Sequence, residues 1–200
     1  MKKVLVLLLS CVAMVFLSCS STKVERIDST EVVDLDGYWN DTDVRLVCEK
    51  LIDECSKSSL IIKFEAKNDR KPVVIVGSIK NESDEHIDTS IIVKKFQNAI
   101  INNETMEFVS SKTERADLRE EIQDQADHAS EDSAKKIDNE LGADYMLIGS
   151  INSIVQSNGK NSVRTYYVTI QLHDLETHKI MWSSENSDIK KVITRSSARL

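Results

Sequence analysis

Val4 to Leu17 is apolar at every position except Ser10 and Cys11. Beyond it the pattern turns periodic. Val44, Cys48, Leu51, Ile52 and Cys55 recur at the three- and four-residue spacing of one helix face. Asn40 or Asp41 ahead of them offers a short side-chain acceptor to the free amides of a first turn, so a helix to about Lys57 is predicted. Leu60 to Phe64 reads as a short strand. Pro72 to Lys80 reads as a core strand, with the proline at its first position, where no ladder bond is lost. Asp88 or Thr89 caps a second helix to about Asn102, with Ile92, Phe96, Ala99 and Ile100 as its stripe. Met106 to Ser110 is a short strand.

Residues 112 to 141 are highly charged and helical in propensity. Leu118, Ile122 and Ala126 give one narrow stripe. Ala134, Ile137 and Leu141 give another, with Ser130 as a cap between them and Gly142 as a stop. The remainder reads as an antiparallel meander. Ala143 to Val155 is apolar on both faces in its first half, as a central strand is. Asn158-Gly159 signals a hairpin, because both residues tolerate positive φ. Tyr166, Val168, Ile170 and Leu172 then alternate with Thr165, Tyr167, Thr169 and Gln171, the mark of a half-exposed strand. Asp174 to His178 turns, and Lys179 to Ser184 returns. Residues 190 to 200 have little to bury and read as a fraying tail.

The first apolar run changes meaning once its flanks are considered. Lys2 and Lys3 precede it, and Ser18-Cys19 follows. A basic start, an apolar core and a small residue at the exit are the anatomy of a secretory signal. The run is short of the roughly 20 residues that span a bilayer. Phe16-Leu17-Ser18-Cys19 resembles a lipobox, with Phe where Leu is commonest. Leu8-Leu9-Ser10-Cys11 fits the four-residue pattern better, but would leave a very short apolar core and strand Val12 to Leu17 in the mature chain. Cys19 is therefore the expected lipidation site. The expected layout is a signal peptide at 1–18, the lipidated Cys19 with a polar tether at 19–33, a domain at 34–189 and a tail at 190–200. The tether reaches at most about 50 Å when extended.

Charge narrows the partners. The net charge is −7, and loss of Lys2 and Lys3 takes it to −9; with no basic cluster, nucleic acid is not an expected partner. One proline and five glycines exclude fibrous and low-complexity classes. Cys48 and Cys55 lie seven residues apart on a helix, about 10 Å. That is too far for a disulfide, so they read as core residues or free thiols.

No constellation looks catalytic. A nucleophile elbow, a P-loop, an H-E-x-x-H helix and a G-x-G-x-x-G turn are missing. His173 and His178 flank one turn with Glu176 nearby, a weak metal set. The acidic run EEIQDQADHASED lacks the spacing of a calcium loop. Neither a metal nor a cofactor nor a small-molecule substrate is expected. Tyr38 and Trp39 precede the first helix. They read either as a hydrophobic staple or as an aromatic anchor on a partner-binding surface.

Four segments in order carry a resemblance: GYWNDTD at Gly37 to Asp43, KPVVIVG at Lys71 to Gly77, HIDT at His86 to Thr89 and GADYMLIGSINSIV at Gly142 to Val155. Together with the lipobox they resemble the LpoB-like family, lipoprotein activators of bifunctional penicillin-binding proteins. The turn HDLETHKIMW also resembles the strand endings of curli-secretion lipoproteins and of TolB amino-terminal-like domains. The resemblance implies an α+β fold with a small mixed, mostly antiparallel sheet and helices packed against it. It implies a non-enzymatic, lipid-anchored (palmitate-bearing) periplasmic protein that binds a peptidoglycan synthase and supports peptidoglycan synthesis and cell shape. Ser20 after Cys19 favours the outer membrane by the enterobacterial sorting rule. The short tether departs from the long one of enterobacterial members. The alternative is an accessory component of an outer-membrane assembly related to curli-type secretion lipoproteins. Only the 143–155 and 163–173 strands are long enough to cross a membrane as barrel strands, and both read as core.

Overall fold

The computed structural model describes residues 23–128 and 141–194. The signal segment and Cys19, the stripe residues Ala134 and Ile137, the Ser130 cap and residues 195–200 lie outside them. The chain divides into two units, residues 1–31 and residues 32–200. The described part of the first, residues 23–31, has no helix or strand; Asp28 turns it by accepting the Thr30 amide at 2.8 Å. All the described helices and strands lie in the second unit.

That unit is α+β. Its elements are α1 (Asp41–Ser56), α2 (Ser59–Asn68), β1 (Val73–Asn81), α3 (Thr89–Asn103), β2 (Glu107–Phe108), α4 (Lys112–His128), β3 (Tyr145–Ser157), β4 (Asn161–Asp174), β5 (Ile180–Asn186) and β6 (Lys190–Thr194). The strands form one sheet in the order β2-β1-β3-β4-β5, with β6 also paired to β4. β2 and β3 both run parallel to β1, whereas β3–β4, β4–β5 and β4–β6 are antiparallel. The sheet is therefore mixed. β3 occupies the central position, as its two apolar faces predict.

The helices form because their stripes have a sheet to cover. α1 starts at Asn40, whose Oδ1 accepts the Asp43 amide at 3.1 Å while Asp43 Oδ2 accepts the Asn40 amide at 3.0 Å, a reciprocal box. Its stripe, Val44 to Cys55, is buried throughout. α3 starts at Asp88, which accepts the Ser90 amide at 3.0 Å, and buries Ile92, Phe96 and Ile100. Both stripes meet Val74, Val76, Leu147, Ile151, Val168, Ile170 and Leu172 from the sheet in one core. Cys48 and Cys55 sit in it as free thiols. Burial pushes both up to about 12, which keeps them protonated and unreactive.

Three expectations change. Leu60 to Phe64 is not a strand but the middle of α2. Ile61 is buried, Leu60 and Phe64 are half-buried against the core, and Ile62 points to solvent at 60% exposure. The i, i+3, i+4 set that a helix buries won over the alternation 60/62/64 that a strand would need. Residues 190–194 are not a tail. They form β6, paired with Asn161–Thr165 of β4, and the residue they bury is Lys191. β5 and β6 share one edge of β4 because that strand is long. β5 takes Val168–His173, β6 takes the start, and between them the Tyr166 amide donates to the Ile189 carbonyl at 3.0 Å. Third, α4 has a helical stripe but no buried residue, and Leu118 is 52% exposed. The hairpin falls where Asn158-Gly159 places it, with Gly159 at φ +90°.

Candidate partner-binding surface

The segments GYWNDTD and HIDT, 43 residues apart in sequence from Asp43 to His86, come together at the end of the sheet where β3 finishes and β4 begins. Two buried charge clusters fix them there.

In the first, Lys191 of β6 reaches past its neighbours to the start of α1. Its ammonium lies 2.6 Å from Asp43 Oδ2 and 2.5 Å from Asp34 Oδ1, and it donates to the Tyr38 carbonyl at 2.7 Å. The Lys191 and Asp43 side chains are 8% and 6% exposed. Burial works against the Lys191 ammonium, but Asp34 and Asp43 outweigh it and hold its pKa above the ordinary lysine value. Burial also dominates at Asp43 and raises its carboxyl above the ordinary aspartate value, despite Lys191 and the Asn40 amide. Asn40 adds a bond from Nδ2 to Asp34 Oδ1 at 2.7 Å. Gly37 makes the approach possible: it sits at φ +75°, and a Cβ there would fall 2.5 Å from Ile193 Cγ1 of β6.

In the second, the loop between β1 and α3 offers Asp84 and Glu85 to β4. Arg164 Nη1 lies 2.6 Å from Asp84 Oδ1 and 2.5 Å from Glu85 Oε1. Glu85 is further held by the Tyr166 hydroxyl, which donates to Oε1, and by the Trp39 amide, which donates to Oε2 at 3.0 Å. Ser153 Oγ of β3 donates to Asp84 Oδ1 at 2.6 Å. The Arg164 guanidinium lies 5.2 Å from the Tyr38 ring centroid, and the Trp39 ring stands edge-on to Tyr166 at 5.1 Å.

This arrangement separates the two aromatic candidates. Trp39 is half-buried and packed on the core, and its indole N–H has no partner among the described residues. Tyr38 is 48% exposed. Beside Trp39 a groove of about 220 Å³ opens between the starts of α1 and α3, with Val44, Ile87 and Ile91 as its apolar lining and Asp41 and Asp88 among its polar lining. Ile91 is 54% exposed. The face is thus an apolar strip flanked by acids and by one exposed tyrosine. It has the shape to hold an apolar anchor from another protein, with basic groups meeting its rim. Sequence reasoning singled out Tyr38 and Trp39 but passed over Arg164, Lys191, Asp84, Glu85 and Ile91. A signal for Arg164 existed: it falls in register with the buried alternation Tyr166, Val168, Ile170 and Leu172.

His173 and His178 do not converge on a metal set. His173 pairs with Gln171 at 3.2 Å, and no group of three or more His, Cys, Asp or Glu suited to a metal occurs among the described residues.

The carboxylates of the domain predict its acid behaviour. Lys94 and Ser111 hold Glu114 down at about 2, the Ser153 hydroxyl and Arg164 hold Asp84 low, and Arg70 and the Val73 amide hold Asp144 low. A carboxyl with a depressed folded pKa binds its proton more readily in the unfolded chain. Its stabilisation is complete above about pH 5 and is lost as pH falls through the folded value. Asp43, raised by burial, acts in the opposite sense but is one group against several. The denaturant midpoint is expected to be flat from pH 7 to 5 and to fall steadily from pH 4 to 2. A midpoint that rises on acidification contradicts the assignment.

The family model described as peptidoglycan-synthase activator LpoB matches residues 43–187. A search of curated proteins finds no match. Among solved structures, the LpoB C-terminal domain from Salmonella enterica is 19% identical, with 68% of this chain and 93% of that chain covered and a TM-score of 0.35. The LpoB C-terminal domain from Escherichia coli is 18% identical, with 68% and 96% covered and a TM-score of 0.36. Lipoprotein GNA1162 from Neisseria meningitidis is 18% identical, with 64% and 88% covered and a TM-score of 0.36.

Proposed function

The chain belongs to the peptidoglycan-synthase activator LpoB family, and from that membership we propose that it binds a bifunctional penicillin-binding protein and raises its synthetic rate without catalysing a step itself. The observation that carries this reading is the extent of the match, which runs from the first turn of α1 to the end of β5 and so takes in most of the folded domain. The domain works in the cell envelope, tied through a lipid on Cys19 to the outer membrane, with residues 20–33 as the leash. Activation is a population shift. A protein that binds the active conformer of the synthase better than the inactive one raises the active fraction by the ratio of the two affinities.

The docking surface is the strip around Tyr38, Trp39, Ile87 and Ile91. A partner that inserts an apolar side chain beside Trp39 and brings lysine or arginine to Asp41 and Asp88 satisfies both its apolar floor and its acidic rim. Support comes from the way Lys191 and Arg164 hold this face rigid, since a preformed surface loses little ordering entropy on binding.

The test is synthase turnover on lipid II with and without the full chain. The wild-type chain is expected to raise the rate. Ile91→Glu leaves the core untouched, because Ile91 is 54% exposed. It is expected to weaken stimulation roughly 10- to 30-fold in the concentration needed, the cost of a central contact of about 2 kcal/mol. Unchanged turnover with the wild-type chain removes the functional reading. Unchanged stimulation by Ile91→Glu moves the docking surface elsewhere. In the same preparation, a Cys19→Ser chain is expected to leave the membrane fraction, and its retention there contradicts the anchor.

A further inference from the structure

At the end of the sheet where β3 begins and β4 finishes, remote from the Glu85–Arg164 cluster, the domain carries a cleft of about 600 Å³. That size is within the range of small-ligand sites. Its two walls carry opposite charge. On one side, Lys63 and Lys67 stand four residues apart on the same face of α2. Both are exposed, and neither has an ion-pair partner among the described residues. On the other side stand Asp174 at the end of β4, whose Oδ1 accepts from the Glu176 and Thr177 amides and leaves Oδ2 available, and exposed Glu176 in the turn that follows. Between the walls Arg70 and Asp144 neutralise each other through two bonds of 2.7 Å.

The floor holds the group that marks this as more than a dent. Tyr145 is 5% exposed, so its ring is buried, stacked edge-on against Phe64 at 5.6 Å. Its hydroxyl has no hydrogen-bond partner among the described residues, and it lies where the charges of Asp174, Asp144 and Arg70, all lining the cleft, act on it. The phenol oxygen is open to the cleft and bonds to no described protein group there, so it is free to donate to a bound ligand. Leu60 and Met181 supply apolar surface beside it.

The charge pattern selects the ligand. A phosphate gains at the lysine wall and loses at the acidic wall, and a polyamine does the reverse. An uncharged sugar uses neither. A molecule with a carboxylate and an ammonium a few bonds apart gains at both walls, and its amides can meet the phenol. We propose that the cleft binds a short peptide carrying both charges, of the chemistry found in the stem peptides of peptidoglycan: the terminal carboxylate toward Lys63 and Lys67, the side-chain ammonium toward Asp174 and Glu176, and a backbone carbonyl accepting from Tyr145. The site stands apart from the docking strip. Only the choice of the cell wall as source of the peptide rests on the functional reading above.

The experiment is calorimetric titration of the full chain with a synthetic tetrapeptide, L-alanyl-γ-D-glutamyl-L-lysyl-D-alanine. Binding is expected below a roughly millimolar dissociation constant. Amidating the terminal carboxylate or acetylating the lysine is each expected to weaken it, as are Lys63→Gln with Lys67→Gln and, separately, Glu176→Gln. The loss of one or two exposed ion pairs corresponds to roughly fivefold to tenfold. Tyr145→Phe removes only the hydroxyl and is expected to weaken binding with the melting temperature unchanged. Absence of binding at millimolar peptide, or binding indifferent to both blocking groups and to the lysine exchanges, overturns the site. An all-L, α-linked peptide of equal charge that binds as tightly assigns the cleft to a protein segment and overturns the stem-peptide assignment. Synthase turnover decides neither outcome, so this proposal and the activator reading fail independently.

Discussion

Lys191→Met is expected to lower folding stability by about 3–5 kcal/mol, the cost of leaving a buried carboxylate without its cation. The wild-type ammonium is shared by Asp43, Asp34 and the Tyr38 carbonyl, all within 2.7 Å. Methionine keeps the apolar stem but strands Asp43, whose side chain is 6% exposed. Asp43 then has to take up a proton or draw in water. Either response disturbs the Asn40 box at the start of α1, because the same Oδ2 accepts the Asn40 amide. For a domain of this size each kcal/mol moves the melting temperature by about 2–4 °C, so calorimetry is expected to show a fall on the order of 10 °C. The combined exchange of Lys191→Met with Asp34→Asn and Asp43→Asn is expected to cost less than Lys191→Met alone, since no charge is then left buried. If the single exchange is silent, the cluster contributes no net stability.

Arg164→Ala is the second large loss, also about 3–5 kcal/mol, but with a different reach. Arg164 is the only cation within 4.0 Å of Glu85 among the described residues, and Glu85 has 8% side-chain exposure. Without it, Glu85 keeps the Tyr166 hydroxyl and the Trp39 amide, which are neutral donors. The loop between β1 and α3 loses its tie to β4, and Tyr38 loses the guanidinium beneath its ring. Amide exchange is expected to rise at residues 82–88 while α2 and β2 stay protected, and synthase stimulation is expected to fall with it. Tyr166→Phe removes a single neutral donor and is expected to cost about 1 kcal/mol. Equal losses from Tyr166→Phe and Arg164→Ala contradict the role given to the guanidinium.

The parts of this fold that were legible in the sequence are those in which a long apolar period points one way. The α1 and α3 stripes, the alternation of β4 and the Asn158-Gly159 hairpin each commit ten or more residues, or one turn chemistry, to a single geometry. α2 was not legible because it is short and buries only Ile61 fully, so Leu60, Ile62 and Phe64 imitate a strand. β6 was not legible because its buried residue is a lysine. Nothing local in KKVIT says that an acid 148 residues earlier in the chain will meet it. The parallel placement of β1 beside β3 depends on strand order, which no local period records. Of the site, the aromatic pair stood out by residue type. The charges did not, since a charged side chain reads as solvated until its strand register shows which face it occupies.

The Lys191 clasp has a mechanical consequence. Asp34, just inside the domain, and β6, the last described strand, grip the same start of α1. Tension applied to the chain ahead of Asp34 therefore does not peel α1 from its first turn. It passes through the ammonium into β6 and across the ladder from Lys190 to Thr194 into β4. The segment that enters the domain and the last described strand share one strain path, and the face that carries Tyr38 and Trp39 lies directly along it.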